Sequence, residues 1–398
     1  MPNILSTDVV IFGGGIAGLW LLNRLKKQGY HAVLFENAEL GGEQSIRSQG
    51  IIHGGLKYAL NGVLTQASNA IADMPDRWRS CLRGEGELDL SSAHILSENH
   101  YLWSDGKLGS GLTTFFASKA MRGRSKALKK EQRPTAFQHT SFKGSVYALN
   151  EIVLDVPSVI KALTDSVKDF IYKIDWNQSE LIKCEDTDGA IDSVIISGGT
   201  VIKAKRYIFT AGKGNADLIQ SAGLSKPEMQ LRPLHMAMVK HKNLPDVFAH
   251  CIGTGSKPRM TITTHPTSDG EKVWYLGGDL AENGIERSRD SQLAFAKQEL
   301  ASLFPWIDWQ SAQWDTFFID RAEPQQNSLL RPDTAYAEQK QNIIIGWPTK
   351  LALSPNLADE VLSLLQQDAI SPSAKEHSTL DIPHPNIAQP AWNSCFND

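Results

Sequence analysis

Three glycines, Gly13, Gly15 and Gly18, stand immediately after a short apolar run, Val9–Phe12, and open a segment expected to be helical from about Ile16 to Gln28. A strand, a G-x-G-x-x-G turn and a helix in that order form a cradle for a dinucleotide pyrophosphate. The first glycine permits the tight turn, the second lets the backbone approach the phosphates, and the third packs the helix against the strand. The N–H groups of Ile16 and Ala17 would then face the anion, where the helix dipole also favours negative charge. Lys26 and Lys27 fall in the last turn, and Gly29 follows as a C-terminal stop. His31–Glu36 reads as the second strand, ending on a carboxylate. A carboxylate there accepts hydrogen bonds from ribose hydroxyls and repels a 2′-phosphate, which disfavours NADP. A glycine-rich turn that binds nothing is the plain alternative, and the strand, helix and acid around the triplet argue against it.

The remaining elements must position that cradle. With 398 residues the chain can bury two cores, so two domains are expected. A hydrophobic content of 41%, a charged content of 21% and a net charge of −4 describe an ordinary globular chain and offer no argument for nucleic-acid binding. Cys81, Cys184, Cys251 and Cys395 are scattered without C-x-x-C or histidine pairing, so neither a disulfide framework nor a metal site is expected. The first strand starts near residue 8 and no apolar run approaches a membrane span, which makes a cytoplasmic protein the expectation.

Along the chain, a helix is expected over about Leu60 to Trp78, a second entered from Glu151–Pro157 and running to about Lys168, a third from about Ser291 to Phe304 and a last one from Pro355 to about Gln367. Strand patterns occur at 191–197, 207–210 and 343–345. Residues 230–282 alternate apolar and polar positions, as in antiparallel strands with one covered face. The fold class is therefore α/β: a discontinuous Rossmann-like domain (1–90, 148–225 and 320–370) carries a second domain on a mostly antiparallel sheet (91–147 and 226–319). Residues 371–398 are read as an extended polar tail.

From the fingerprint onward the chain resembles the FAD-dependent oxidoreductases of the D-amino-acid oxidase, glycine oxidase and glycerol-3-phosphate dehydrogenase superfamily. The resemblance implies non-covalent FAD. It assigns Gln44, Ser45, Ser48 and Gly50 to the segment wrapping the flavin, and Val153, in Glu151–Pro157, to the neighbourhood of the cofactor. Ala211 and Gly212, in Tyr207–Gly212, correspond to a later adenosine-side strand and turn. His53-Gly54-Gly55-Leu56-Lys57-Tyr58 is similar to the His-Gly-Gly-Leu-Arg-Tyr of glycerol-3-phosphate dehydrogenases, with Lys57 in place of a substrate-holding arginine. In some relatives a histidine in such a context carries the flavin covalently, in others it only walls it. Gly346, Lys350 and Leu351 match the last flavin loop, although Trp347-Pro348-Thr349-Lys350 departs from the glycine-rich loop of amino-acid oxidases. Arg321 matches the arginine that holds a substrate carboxylate in glycine oxidase-like enzymes, Arg331 is a second anion contact, and His235 matches an active-site histidine of the phosphate-ester dehydrogenases. Tyr58 either closes the substrate side or packs.

These assignments imply hydride removal from a small anionic substrate. Arg321, Arg331 and Lys57 would anchor the anion, since an arginine fork gives two parallel charged hydrogen bonds. His235 would take the proton of a hydroxyl. Lys350 and the helix behind it, with Ser354 as N-cap, would stabilise negative charge. A 2-hydroxy acid or phosphorylated alcohol is the favoured substrate class, and an amino acid or N-methyl amino acid the alternative. Oxygen or a quinone would accept the electrons. Each residue also has an ordinary reading: surface charge for the arginines, a core histidine for His235, a solvated loop for Lys350. Residues 119–133 hold seven basic side chains against Glu131. That run is read first as a solvated face, and otherwise as a peripheral contact for anionic lipid or an acidic partner. Trp306, Trp309 and Trp314 are read as packing. A flavin sensor without turnover is the rival from outside enzymes, and an enzyme acting on an amine within RNA or protein is a weaker one.

Overall fold

Val9 and Ile11 point to one side of the first strand, Ile4–Phe12, and Val10 and Phe12 to the other, and both sides are buried. That double burial is why the run reads as continuously apolar rather than alternating. The computed structural model describes residues 4–55, 71–106, 125–253, 257–325, 334–373 and 380–396. In its first sheet Ile4–Phe12 lies parallel to Ala32–Glu36 on one side and to Val201–Phe209 on the other. Ile171–Lys173 extends the sheet beyond Ala32–Glu36, and Ile343–Trp347 pairs in parallel with the end of Val201–Phe209. One face packs on the helix Ile16–Lys27 together with Val156–Asp165 and Ser354–Gln367. Asp155 begins Val156–Asp165 as its N-cap, accepting from Ser158 N–H at 3.1 Å.

The second sheet runs in the order 313–324, 229–241, 272–277, 258–266, 249–252, 100–103, 146–149 and 125–127. Its neighbours are antiparallel except for 249–252 beside 100–103. One face, with Ala237, Val239, Met260, Ile262 and Trp274, is covered by the helix Arg289–Leu303 and Phe304; Trp306, Trp309 and Trp314 pack at its margin. The other face presents Met236, Met238, Thr263, Tyr275 and Ile319 towards the first domain, and Gln49 Nε2 donates to Tyr275 O across the gap at 2.9 Å. A small third sheet, Ile51–Ile52, Ile152–Leu154 and Ile95–Ser97, sits between the two.

Three expectations change. Of the helix placed at 60–78, residues up to 70 lie outside the described set, and a helix over Met74–Leu82 is present. Ser354 does not cap the last long helix: Leu353 holds that position, and Ser354 Oγ donates to Leu351 O at 2.9 Å. The segment after 380 is not an extended surface tail. Its backbone binds Lys173 N–H through Pro383 O (2.7 Å) and Leu40 N–H through Asn386 O (2.8 Å). It ends in a short helix, Ala391–Cys395, whose Trp392 is 3% exposed and stacks on His265 with ring centroids 4.4 Å apart. The proline-rich composition suggested exposure, and one buried indole overrides it. Removing that indole, Trp392→Ala, is expected to cost about 3–5 kcal/mol, readable as a fall in the urea midpoint at unchanged m.

His265 beneath it is fully buried, and burial pulls its imidazole down to about 3. The unfolded chain protonates this histidine near pH 6.5, so between there and about pH 3 it binds more protons than the folded one. Stability therefore falls as pH drops through that window, by about 1.4 kcal/mol per unit from this group. His265→Asn should flatten the dependence of the urea midpoint on acidification; an unchanged slope would contradict the assignment.

Candidate active site at the cofactor cleft

The glycine turn is closed by backbone. A Cβ on Gly13, whose φ is +106°, would lie 2.4 Å from Ala211 Cα, and one on Gly18 would lie 2.0 Å from Gly13 O. Gly15 differs: among the described residues the only near atom is Ser45 Oγ at 3.2 Å, which leaves space among them in front of the helix. That helix start has no acidic side chain in its first turn and no side-chain cap, while Ser45 Oγ accepts Ile16 N–H at 3.0 Å. Ala17 and Gly18 supply further first-turn N–H groups. Glu36 ends its strand with Oε2 accepting Gly14 N–H at 2.6 Å and Oε1 accepting Ala38 N–H at 2.8 Å, which fixes the carboxylate beside the turn. Ser48 Oγ is buried with no hydrogen-bond partner among the described residues. Gly50 takes φ +71° where a Cβ would meet Leu154 O at 2.1 Å. A glycine cradle, open helix N-terminus, terminal acid and orphaned hydroxyl together fit a dinucleotide cofactor.

The later loops complete the cleft. Ala211 N–H donates to Asn215 Oδ1 at 2.7 Å, and Asn215 Nδ2 donates to Gly346 O at 3.1 Å, so one buried asparagine ties Ala211–Gly212 to Gly346. Thr349 holds φ +59° while buried, a strained conformation for a β-branched residue, and donates its hydroxyl to Thr334 O at 3.0 Å. It precedes Lys350, which stands at the head of the turn Leu351–Leu353.

Strand parity separates the substrate candidates. Arg321 shares the inward face of 313–324 with Phe317 and Ile319, directly opposite Arg232 on the neighbouring strand. Its Nη1 lies 3.3 Å from Glu282 Oε1, and its buried Nε has no partner among the described residues. Gln44 Oε1 accepts Ala322 N–H at 3.0 Å, so the segment after Glu36 reaches the same strand. His235 faces the other way. It is fully buried on the opposite face from Met236, with Nδ1 2.9 Å from Gly284 O and Nε2 3.1 Å from Thr316 Oγ1. Both nitrogens stand at hydrogen-bond distance from partners behind the sheet. Val153 is buried in the small sheet against Ile51 and Phe248. Ile174, whose N–H donates to Glu36 O at 2.9 Å, lies nearer the ribose end. Lys57, Tyr58 and Arg331 lie outside the described residues, as do 119–124 of the basic run; within the remainder, Lys126, Lys129 and Lys130 are not buried.

One grouping has no linear signature. The His53 ring, 28% exposed, has Nδ1 3.3 Å from Glu151 Oε2, and Glu151 Oε1 accepts Gly54 N–H at 2.9 Å. His100 Nδ1 stands 3.8 Å from the same carboxylate, and His250 stacks on His53 at 5.8 Å. Burial pushes the Glu151 carboxyl up, and the charges and hydrogen bond of His53, with His100 and Gly54 N–H, more than offset that, leaving it below the ordinary range. Gly55 (φ +81°) follows at the edge of the described segment.

Comparison with known proteins agrees with this architecture. The sequence profile of the family described as FAD dependent oxidoreductase (DAO) matches residues 8–330. A Pseudomonas aeruginosa protein described as a probable FAD-dependent oxidoreductase is 52% identical over 398 residues, covering all of both chains. The crystal structure of an FAD-dependent oxidoreductase from the same organism superposes with a TM-score of 0.87 at 46% identity over the full length of both chains. Glycine oxidase from Geobacillus kaustophilus shares the fold alone, with a TM-score of 0.65 at 14% identity over 94% of this chain and 100% of its own. The chain therefore belongs to the DAO family of FAD-dependent oxidoreductases.

Proposed function

We propose that the chain oxidises a small substrate bearing a carboxylate, at the carbon that carries an amine. The observation that carries this reading is Arg321: a half-buried guanidinium on the inward face of the sheet, its buried Nε unmatched among the described residues and Arg232 beside it in register. A carboxylate can accept from that fork, while Glu282 limits the net positive charge. FAD, when bound, supplies the hydride acceptor. The protein's part is position and field. Arg321 fixes the anion, Met236, Phe317 and Ile319 exclude water from the face around it, and Lys350 brings positive charge to the cleft beside the Leu351–Leu353 turn. Glu36, Gly15, Ser45 and Ser48 hold the cofactor. With His235 turned away, an amine substrate gains over the hydroxyl one, because a neutral amine can release hydride without a protein base. An electron acceptor then closes the cycle.

A hydroxy-acid reading keeps one supporting observation: the partly exposed His53 ring, oriented by Glu151, could take a hydroxyl proton. Anaerobic reduction by an amino acid and by its neutral amide tests the anion requirement. Loss of the oxidised-flavin band with the acid and not the amide is expected; equal rates would remove Arg321 from the account.

A further inference from the structure

We propose that His53, Glu151 and His250 form a binding site for one divalent transition ion of the zinc class. Each offers one ligand atom, and those atoms lie within 4.8 Å of one another. They come from three separate places: the loop after Ile51–Ile52, the turn before Ile152–Leu154, and the strand Ala249–Ile252. Two imidazoles and a carboxylate form a known zinc ligand set, and the same donors suit other borderline ions.

The surroundings supply the outer contacts that such ligands use. Gly54 N–H holds one oxygen of Glu151 at 2.9 Å, leaving the other towards the histidines. Thr261 Oγ1 lies 2.7 Å from His250 Nδ1, fixing that ring from behind so that Nε2 is the ligating nitrogen. Glu151 and His250 are buried, 3% and 4% exposed, whereas the His53 side chain is 28% exposed and leaves a path for an ion. A bound dication would pair directly with the buried Glu151 carboxylate. His100, with Nδ1 3.8 Å from Glu151 Oε2, closes the far side. Cys251 is excluded as a ligand although it neighbours His250. Strand alternation turns it to the opposite core, where burial pushes its thiol up to about 12. A bound ion would pin the loop at His53, which borders the cofactor cleft, onto the second sheet. It would also occupy His53, in keeping with the amine reading, although the site does not depend on that reading.

The test is isothermal titration of Zn2+ into FAD-loaded enzyme that has been stripped with a chelator and dialysed, with Co2+ absorption as a second readout. One ion per chain is expected, together with cobalt ligand-field bands of a low-symmetry site. Glu151→Gln and His250→Ala should each abolish uptake, Thr261→Ala should weaken it by about 10–100-fold, and His241→Ala, at a half-buried histidine outside the group, should leave it unchanged. Flavin absorption of each variant reports whether it is folded, and a variant that loses FAD is replaced by His53→Asn. No uptake by the wild-type holoenzyme would overturn the proposal, as would uptake that persists in folded Glu151→Gln and His250→Ala.

Discussion

Gly15→Val should give a folded protein that no longer holds FAD. A Cβ at this position meets Ser45 Oγ alone among the described residues, at 3.2 Å, and φ is −74°, so a small shift of that hydroxyl accommodates it. The new atoms instead enter the space in front of the helix N-terminus, where the phosphates must approach the backbone. A clash there is worth about 3 kcal/mol, or ~100-fold in Kd. Gly13→Ala provides the contrast. Its Cβ would lie 2.4–2.7 Å from the backbone of Thr210 and Ala211 at φ +106°, so it should lower stability as well as cofactor content. Far-UV circular dichroism with flavin absorbance after gel filtration separates the two effects. Full flavin content in Gly15→Val would mean that the pyrophosphate does not sit at this turn.

Arg321→Ala should lower kcat/KM by about 10²–10³-fold, because two charged hydrogen bonds to the substrate anion are lost together. Flavin content should stay normal, since Arg321 has no part in the glycine cradle. Arg321→Lys should recover only part of the loss, as an ammonium cannot reproduce the planar fork. Removing the guanidinium also leaves Glu282 without one partner, and Glu282 keeps Lys257 on its other side. The fold should therefore tolerate the change. Steady-state kinetics on the best substrate checks it, and a change under threefold would show that the anion binds elsewhere.

The cofactor half of this molecule was legible because its constraints are local. Val9–Phe12, the three glycines, the helix behind them and Glu36 lie within a few turns of chain, and each residue type answers a contact made by its near neighbours. Arg321 was singled out by family resemblance alone, and strand pairing puts it on the same face as Phe317 and Ile319. The face that His235 occupies was not legible, because it depends on the parity of its strand. A one-residue step from Met236 reverses that face, and nothing in the alternation near 235 says which side meets the cofactor. The Glu151 group was invisible for another reason. His53, His100, Glu151 and His250 meet only after two sheets have packed, and no spacing among them repeats a known motif. Trp392 was hidden by its proline-rich surroundings, which describe the path of the segment and not the destination of its one large side chain.

The most direct measurement is anaerobic reduction of the bound flavin across amino acids, N-methyl amino acids, 2-hydroxy acids and glycerol phosphate, in wild type and Arg321→Ala. The account predicts rapid loss of the oxidised band with one amine-bearing carboxylate, release of ammonia or an amine, and a large slowing in Arg321→Ala. Reduction by a hydroxy acid or glycerol phosphate alone, at a rate indifferent to Arg321, would contradict it.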